Sequence, residues 1–136
     1  MPHVTLDYSP NLEPALEVQR LCDALCAAIG AQRDADGAAV FPLGGTRVFA
    51  RPARAAAVAD GDPSHGFLYV NVRIAPGRSS DTVRAAGEAL ARVVETAIAP
   101  LLGERTVGWT LQIDERAAAF DHKGGGNLKA TLTGRA

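Results

Sequence analysis

Pro2 directly follows Met1. Initiator methionine is normally removed before a small residue, and its removal would leave Pro2 as a free secondary amine. A chain-terminal amine titrates at about 8, and burial lowers a cationic acid further, so this nitrogen can become a proton-transferring base near neutrality. Pro2 can equally be the plain start of a strand, where its missing N–H costs nothing. Two arginines offer complementary charge. Arg78 lies in IAPGRSSDTV, where a strand leaves and a helix enters. Helix N-termini favour anions, and a guanidinium adds a planar fork suited to a carboxylate or an enolate-like oxygen. Solvation at the surface is the other reading of Arg78. Arg47 follows Gly44-Gly45, where a strand can start close to another backbone or a ligand. A salt bridge to Asp or Glu is its alternative role.

The surrounding pattern has to position these residues. Residues 3–8 (HVTLDY) alternate, with Val4, Leu6 and Tyr8 on one face, which is strand period. Ser9-Pro10-Asn11 breaks the strand and offers Asn11 as an N-cap. From residue 12 to about 29, Ala15, Val18, Leu21, Cys22, Leu25 and Ile29 recur at helical spacing, and Gly30 ends the run. A second strand begins near Thr46. The Ala-rich stretch 52–59 reads either as its continuation or as a short helix. A turn cluster at 60–64 precedes the clearest strand, FLYVNVRI at 67–74. Pro76-Gly77 turns the chain into a helix opened by Ser79 and Asp81, with Val83, Ala86, Leu90, Val93, Val94, Ala97 and Leu101 as its buried stripe. Residues 106–114 alternate again, with Val107, Trp109, Leu111 and Ile113 inward. In the tail from residue 116, Gly124-Gly125-Gly126 precedes a short strand predicted over 127–133.

The order is strand–helix–strand twice, with pseudo-repeats at about 2–58 and 66–115. Each is a βαβ unit whose parallel pair needs a crossover helix. HVTLDYSPN entering one helix parallels YVNVRIAPGRS entering the other. The expected fold is α+β, a single domain over 1–136 with a four-stranded mixed sheet and both helices on one face. The other face would carry Thr5, Asp7, Arg47, Phe49, Arg51, Phe67, Tyr69, Asn71, Arg73, Thr106, Thr110 and Gln112. Solvated faces usually hold more Lys and Glu, so this layer is expected to pack against other copies in a closed homo-oligomer.

Composition excludes several classes. With 136 residues, 47% hydrophobic and 21% charged, the chain fits one soluble globular domain. A net charge of −1 argues against nucleic acid as a partner. No apolar run approaches the roughly 20 residues that span a bilayer, and no signal-peptide pattern opens the chain, so no membrane partner and a cytoplasmic location are expected. Cys22 and Cys26 share a helix face and suit core packing better than a disulfide. His3, His65 and His122 show no metal-ligand spacing. The glycine run lacks the strand and helix context of a phosphate loop.

The constellation is more specific than its parts. The chain resembles the tautomerase superfamily, and most closely the 5-carboxymethyl-2-hydroxymuconate isomerases. The resemblance rests on the opening MPHV, FPLGGTRV, the ADG turn, the strand into APGRS and the acidic IDE, along nearly the whole chain. Short tautomerases are one βαβ unit with proline first and Gly-Arg-Ser before the helix. This chain looks like two such units fused, with Pro2 kept in the first and Gly77-Arg78-Ser79 in the second. No proline stands near Gly66, where the second unit begins. The isomerase branch is similar in having one amino-terminal proline per subunit and a trimeric assembly.

The resemblance implies a cofactor-free isomerase acting on an unsaturated oxo-di- or tricarboxylate from aromatic catabolism (homoprotocatechuate degradation), as a homotrimer. Pro2 would move the proton, while Arg78 and Arg47 would bind carboxylates and stabilise the dienolate. Cationic donors stabilise charge developing on oxygen most in a water-poor cavity, and neighbouring arginines would keep the amine unprotonated. Lower-weight candidates are Arg73 and Tyr69, which line a pocket or pack an interface, and Phe49 and Phe67, which would wall the site. His122, with Lys123, can cap a neighbouring subunit's site. His3 turns away from Pro2 and reads as structural or interfacial. Two other readings stay open: a non-catalytic trimeric carboxylate binder, and another tautomerase reaction such as phenylpyruvate tautomerisation.

Overall fold

The computed structural model describes residues 1–124 and 126–134. Its elements are β1 (His3–Tyr8), α1 (Val18–Gly30), β2 (Arg47–Pro52), β3 (His65–Ile74), α2 (Ser80–Ile98), β4 (Thr106–Glu115) and α3 (Leu128–Thr133). The sheet order is β2-β1-β3-β4. β1 runs parallel to β2, β3 runs parallel to β4, and β1 and β3 meet antiparallel at the centre. Two βαβ units therefore face each other through their first strands, giving the expected α+β mixed sheet.

Alternation decides which face is buried. Val4, Leu6 and Tyr8 of β1 and Leu68, Val70, Val72 and Ile74 of β3 point to one side. There they meet Leu21, Leu25 and Ile29 of α1 and Ala86, Leu90, Val94 and Ile98 of α2, the apolar stripes of the two helices. Val107, Trp109, Leu111 and Ile113 of β4 pack against this core while only partly buried. Both Cys22 and Cys26 are free thiols on α1, and burial pushes the Cys22 thiol up. Gly66, where the second unit starts, has no room for a side chain: a Cβ there would lie 2.3 Å from Cδ2 of the fully buried Leu12.

The opposite face is a polar lattice with no covering layer among the described residues. Register aligns Arg47, His3, Arg73 and Asp114 in one row, then Phe49, Thr5, Asn71 and Gln112, then Arg51, Asp7, Tyr69 and Thr110. Asn71 Nδ2 donates to Asp114 Oδ2 at 2.8 Å and the Tyr69 hydroxyl to Gln112 Oε1 at 3.1 Å. Phe49 stands 57% exposed among these groups.

Four local expectations are corrected. The first long helix begins at Val18, because Pro14 disfavours helical geometry for Glu13; Leu12 sits in a 3-10 turn (Pro10–Leu12) yet is still buried. Asn11 is not an N-cap. Its Nδ2 donates to the carbonyls of Pro63 (3.1 Å) and His65 (2.8 Å), tying the exit of β1 to the start of β3. Beyond Pro52 the Ala-rich stretch is neither strand nor helix. The short strand predicted over 127–133 is the helix α3, whose Leu132 lies against Gly44. Leu128 and Leu132 share a face in either conformation, so their spacing does not choose between them. Gly125 of the glycine run, with Arg135 and Ala136, lies outside the described residues. Among the described residues no helix is long and apolar enough to cross a membrane.

Candidate active site

The antiparallel register at the centre of the sheet positions the chain's start. It pairs His3 with Arg73, and one step further along the same register sets Pro2 opposite Ile74, beside the turn that carries Arg78. From the other side the Arg47 N–H donates to the Pro2 carbonyl at 3.1 Å. Pro2 thus lies at the end of the sheet between β2 and β3, with its ring fully buried. His3, one residue on, faces the polar layer, as alternation requires.

Met1 precedes Pro2 here, so the amine sits on Met1 and the Pro2 nitrogen is an amide. The Met1 side chain packs into the space that Gly45 leaves open, where a Cβ would come 2.9 Å from Met1 Cγ. Desolvation holds the amine below its ordinary value of 8.0, Arg78 and then Lys123 push it down further, and Asp121 opposes them. Burial likewise lowers His3, helped by Arg47, the amine and Arg73 and opposed by Asp121, which favours the neutral imidazole.

Arg78 is fixed by its turn. Gly77 adopts φ +114°, a conformation that favours glycine, and the Ser79 side chain caps α2 by accepting from the Thr82 N–H at 3.2 Å. The guanidinium donates to the Ala75 carbonyl (2.9 Å) and twice to the Val40 carbonyl (3.3 and 3.1 Å), and lies 4.6 Å above the Phe41 ring centroid. Arg47 donates from Nη1 to the carbonyls of Gly44 and Thr46, both at 2.9 Å. The salt bridge expected as its alternative role does not form among the described residues. Among the described residues Arg47, Arg73 and Arg78 make no ion pair with a carboxylate, which leaves an excess of positive charge at this end of the sheet.

A cleft of about 310 Å³ opens beside the amine, lined by Met1, His3, Arg73, Arg116, Asp121 and Lys123 among others. Two larger hollows, of about 500 and 600 Å³, lie away from Pro2, around Asn11 and Arg105 and in the outer groove between α1 and α2. Neither of these hollows is lined by Pro2, Arg47, Arg73 or Arg78.

The chain gathers Pro2, Arg47, Arg73 and Arg78 at one end of the sheet. It does not bring the aromatic candidates there. Tyr69 and Phe67 stand four and six residues back along β3 from Arg73, roughly 13 and 20 Å away at strand rise. The Phe67 ring lies against Gly108, and Phe49 stands two residues along β2 from Arg47 on the polar face. His122 is exposed and does not line the cleft, whereas its neighbours Asp121 and Lys123 do. Arg116 and Asp121 escaped the sequence reading. The available signal was topological: β4 is parallel to β3 and ends at the same edge, so the tail after IDE has to pass the chain's start.

The chain is similar to known proteins. A family model described as 5-carboxymethyl-2-hydroxymuconate isomerase matches residues 2–132. A solved 5-carboxymethyl-2-hydroxymuconate delta-isomerase is 43% identical, covers 97% of this chain and 93% of its own, and superposes with a TM-score of 0.90. The 5-carboxymethyl-2-hydroxymuconate Delta-isomerase of Escherichia coli is 27% identical over 123 residues, 90% of this chain and 93% of that protein. The fold alone is shared with a fused 4-OT protein described as a symmetric trimer, at 21% identity, a TM-score of 0.60 and coverage of 94% and 98%. The chain belongs to the 5-carboxymethyl-2-hydroxymuconate isomerase family and is an isomerase built on the tautomerase fold.

Proposed function

We propose that this isomerase moves a proton along a conjugated oxo-di- or tricarboxylate of the 5-carboxymethyl-2-hydroxymuconate type, with the Pro2 amine as its base. The observation that carries the reading is the register that sets Pro2 between Arg47 and the turn holding Arg78. After loss of Met1, the secondary amine would occupy a partly desolvated position beside Arg78, under the influences that hold the Met1 amine low. Unprotonated, it takes a proton from the carbon next to the carbonyl. Charge then spreads over a dienolate, and guanidinium groups held in place by backbone carbonyls stabilise it without reorganising. The prolinium returns the same proton to a distant carbon, so base and acid are one group and no external acceptor is required.

Each carboxylate of the substrate adds an anion for this cationic end of the sheet. The expected result is that kcat/KM rises from mono- to di- to tricarboxylate members of one oxo-acid series. A flat series would contradict the reading and favour a phenylpyruvate-type tautomerase. Retention of Met1 would leave a carboxylate binder without its base, and mass spectrometry of the N-terminus distinguishes that case.

The uncovered polar layer supports a homotrimer, in which Phe49, Phe67 and Tyr69 meet neighbouring subunits instead of their own chain's cleft. Sedimentation at micromolar concentration is expected to give three times the chain mass; a stable monomer would contradict it.

A further inference from the structure

After β4 the chain does not leave the sheet's end. The Arg116 N–H donates to the Ile74 carbonyl at 3.1 Å, one step past the paired strands, and Ala117, Ala118, Phe120, Asp121 and Lys123 then line one cleft with Met1. Arg73, Arg116 and Lys123 supply positive charge to the cleft. Asp121 is the one carboxylate that lines it among the described residues. Its Oδ2 accepts from Lys123 Nζ at 2.6 Å. The hydrogen bond from Lys123 holds its carboxyl below the usual carboxylate range, and the amine and Arg73 pull the same way. The Lys123–Asp121 pair is exposed on both sides (62% and 55%), so solvent screening makes it cheap to break.

The arginines divide into two kinds. Arg78 and Arg47 already donate to main-chain carbonyls. Among the described residues, the side chains of Arg73 and Arg116 donate to nothing, although both line the cleft. A site with ungiven donors and one loosely held internal carboxylate has the layout of a carboxylate subsite occupied by its own chain.

We propose that the tail supplies the subsite for the substrate carboxylate remote from the reacting carbonyl: Lys123 and Arg116, with Arg73 from β3, bind that carboxylate, and Asp121 holds its place until substrate displaces it. The inference rests on the proline-base reading above and adds residues to it. It makes the tail a determinant of substrate choice, selecting acids with a second carboxylate over those with one.

The test uses full-length enzyme and two substrates, a dicarboxylate and its analogue lacking the remote carboxylate. Replacing a cationic partner of a carboxylate typically removes a charge-assisted hydrogen bond, so Lys123→Ala and Arg116→Ala are each expected to lower kcat/KM for the dicarboxylate by about 10- to 100-fold. The loss should appear in KM. Arg116→Ala should leave the mono-acid within about twofold of wild type. Because Lys123 also helps hold the amine low, Lys123→Ala is read as the ratio of kcat/KM between the two substrates, and Lys123→Arg should restore most of that ratio. Asp121→Asn should lower the KM for the dicarboxylate. These side chains are exposed, so unchanged thermal melting is the expected control. Equal losses on both substrates, or none on either, would overturn the tail assignment. Pro2→Ala, assayed in parallel, separates the two ideas: an inactive Pro2→Ala beside unaffected tail variants rejects the subsite alone, and a fully active Pro2→Ala rejects the proline reading.

Discussion

Pro2→Ala is expected to lower kcat by about two to four orders of magnitude, the usual contribution of a positioned general base. Alanine is also small enough for Met1 to be removed before it, so the variant still presents an amine. That amine is primary, more mobile and lacks the ring that fixes the nitrogen. The Pro2 ring is fully buried at the end of the sheet, so its loss also leaves a small cavity. Circular dichroism and thermal melting should nevertheless report a folded protein, because the core strands pair from His3 onward and the Arg47 N–H bond to the residue 2 carbonyl persists. A folded variant running at the wild-type rate on the best substrate would show that Pro2 does not carry the proton.

Arg78→Ala should cost about 10²- to 10³-fold in kcat/KM, the range seen when one preorganised donor to a developing oxyanion is lost. Two effects combine. The positive charge beside the amine disappears, so the amine rises toward its ordinary value and a smaller fraction is unprotonated at neutral pH. The turn also loses the bonds that tie the Val40 and Ala75 carbonyls together and the stack on Phe41, which should destabilise the fold by about 1–3 kcal/mol. Arg78→Lys distinguishes them. It retains the charge without the planar fork, so the acidic limb of the pH–rate profile, where the amine loses its proton and activity appears, should stay near wild type while turnover remains impaired. In Arg78→Ala that limb should move to higher pH. Unchanged turnover in a destabilised Arg78→Ala would make the residue a structural clamp only.

Much of the layout of this candidate site is legible in the sequence. Alternation in HVTLDY and FLYVNVRI decides which side chains face the helices, and it correctly separates His3 from the core. Two βαβ units require parallel pairs, and a parallel pair on each side of an antiparallel centre brings Arg47 and Arg78 to the end where the chain begins. Other features were illegible for identifiable reasons. Residues 12–17 keep an apolar stripe, with Leu12 and Leu16 buried, but Pro14 prevents the helix that the stripe resembles. Leu128 and Leu132 satisfy two periods at once. Residues 117–123 have no period, since Ala, Phe, Asp, His and Lys in an irregular segment owe their position to the end of β4 and not to local pattern. That is why His122 stood out in the sequence by residue type, while Asp121 and Lys123 are the tail side chains that line the cleft.

The central claim is that the Pro2 nitrogen is a free amine held low enough to act as a base. Its most direct test is a ¹⁵N NMR titration of the active enzyme with ¹⁵N-labelled proline. One proline nitrogen, that of residue 2, is expected to titrate as a secondary amine with a midpoint below 8.0 that coincides with the acidic limb of kcat/KM. A fully active enzyme in which no proline nitrogen titrates, or in which Pro2 stays protonated through the pH range of activity, would contradict it.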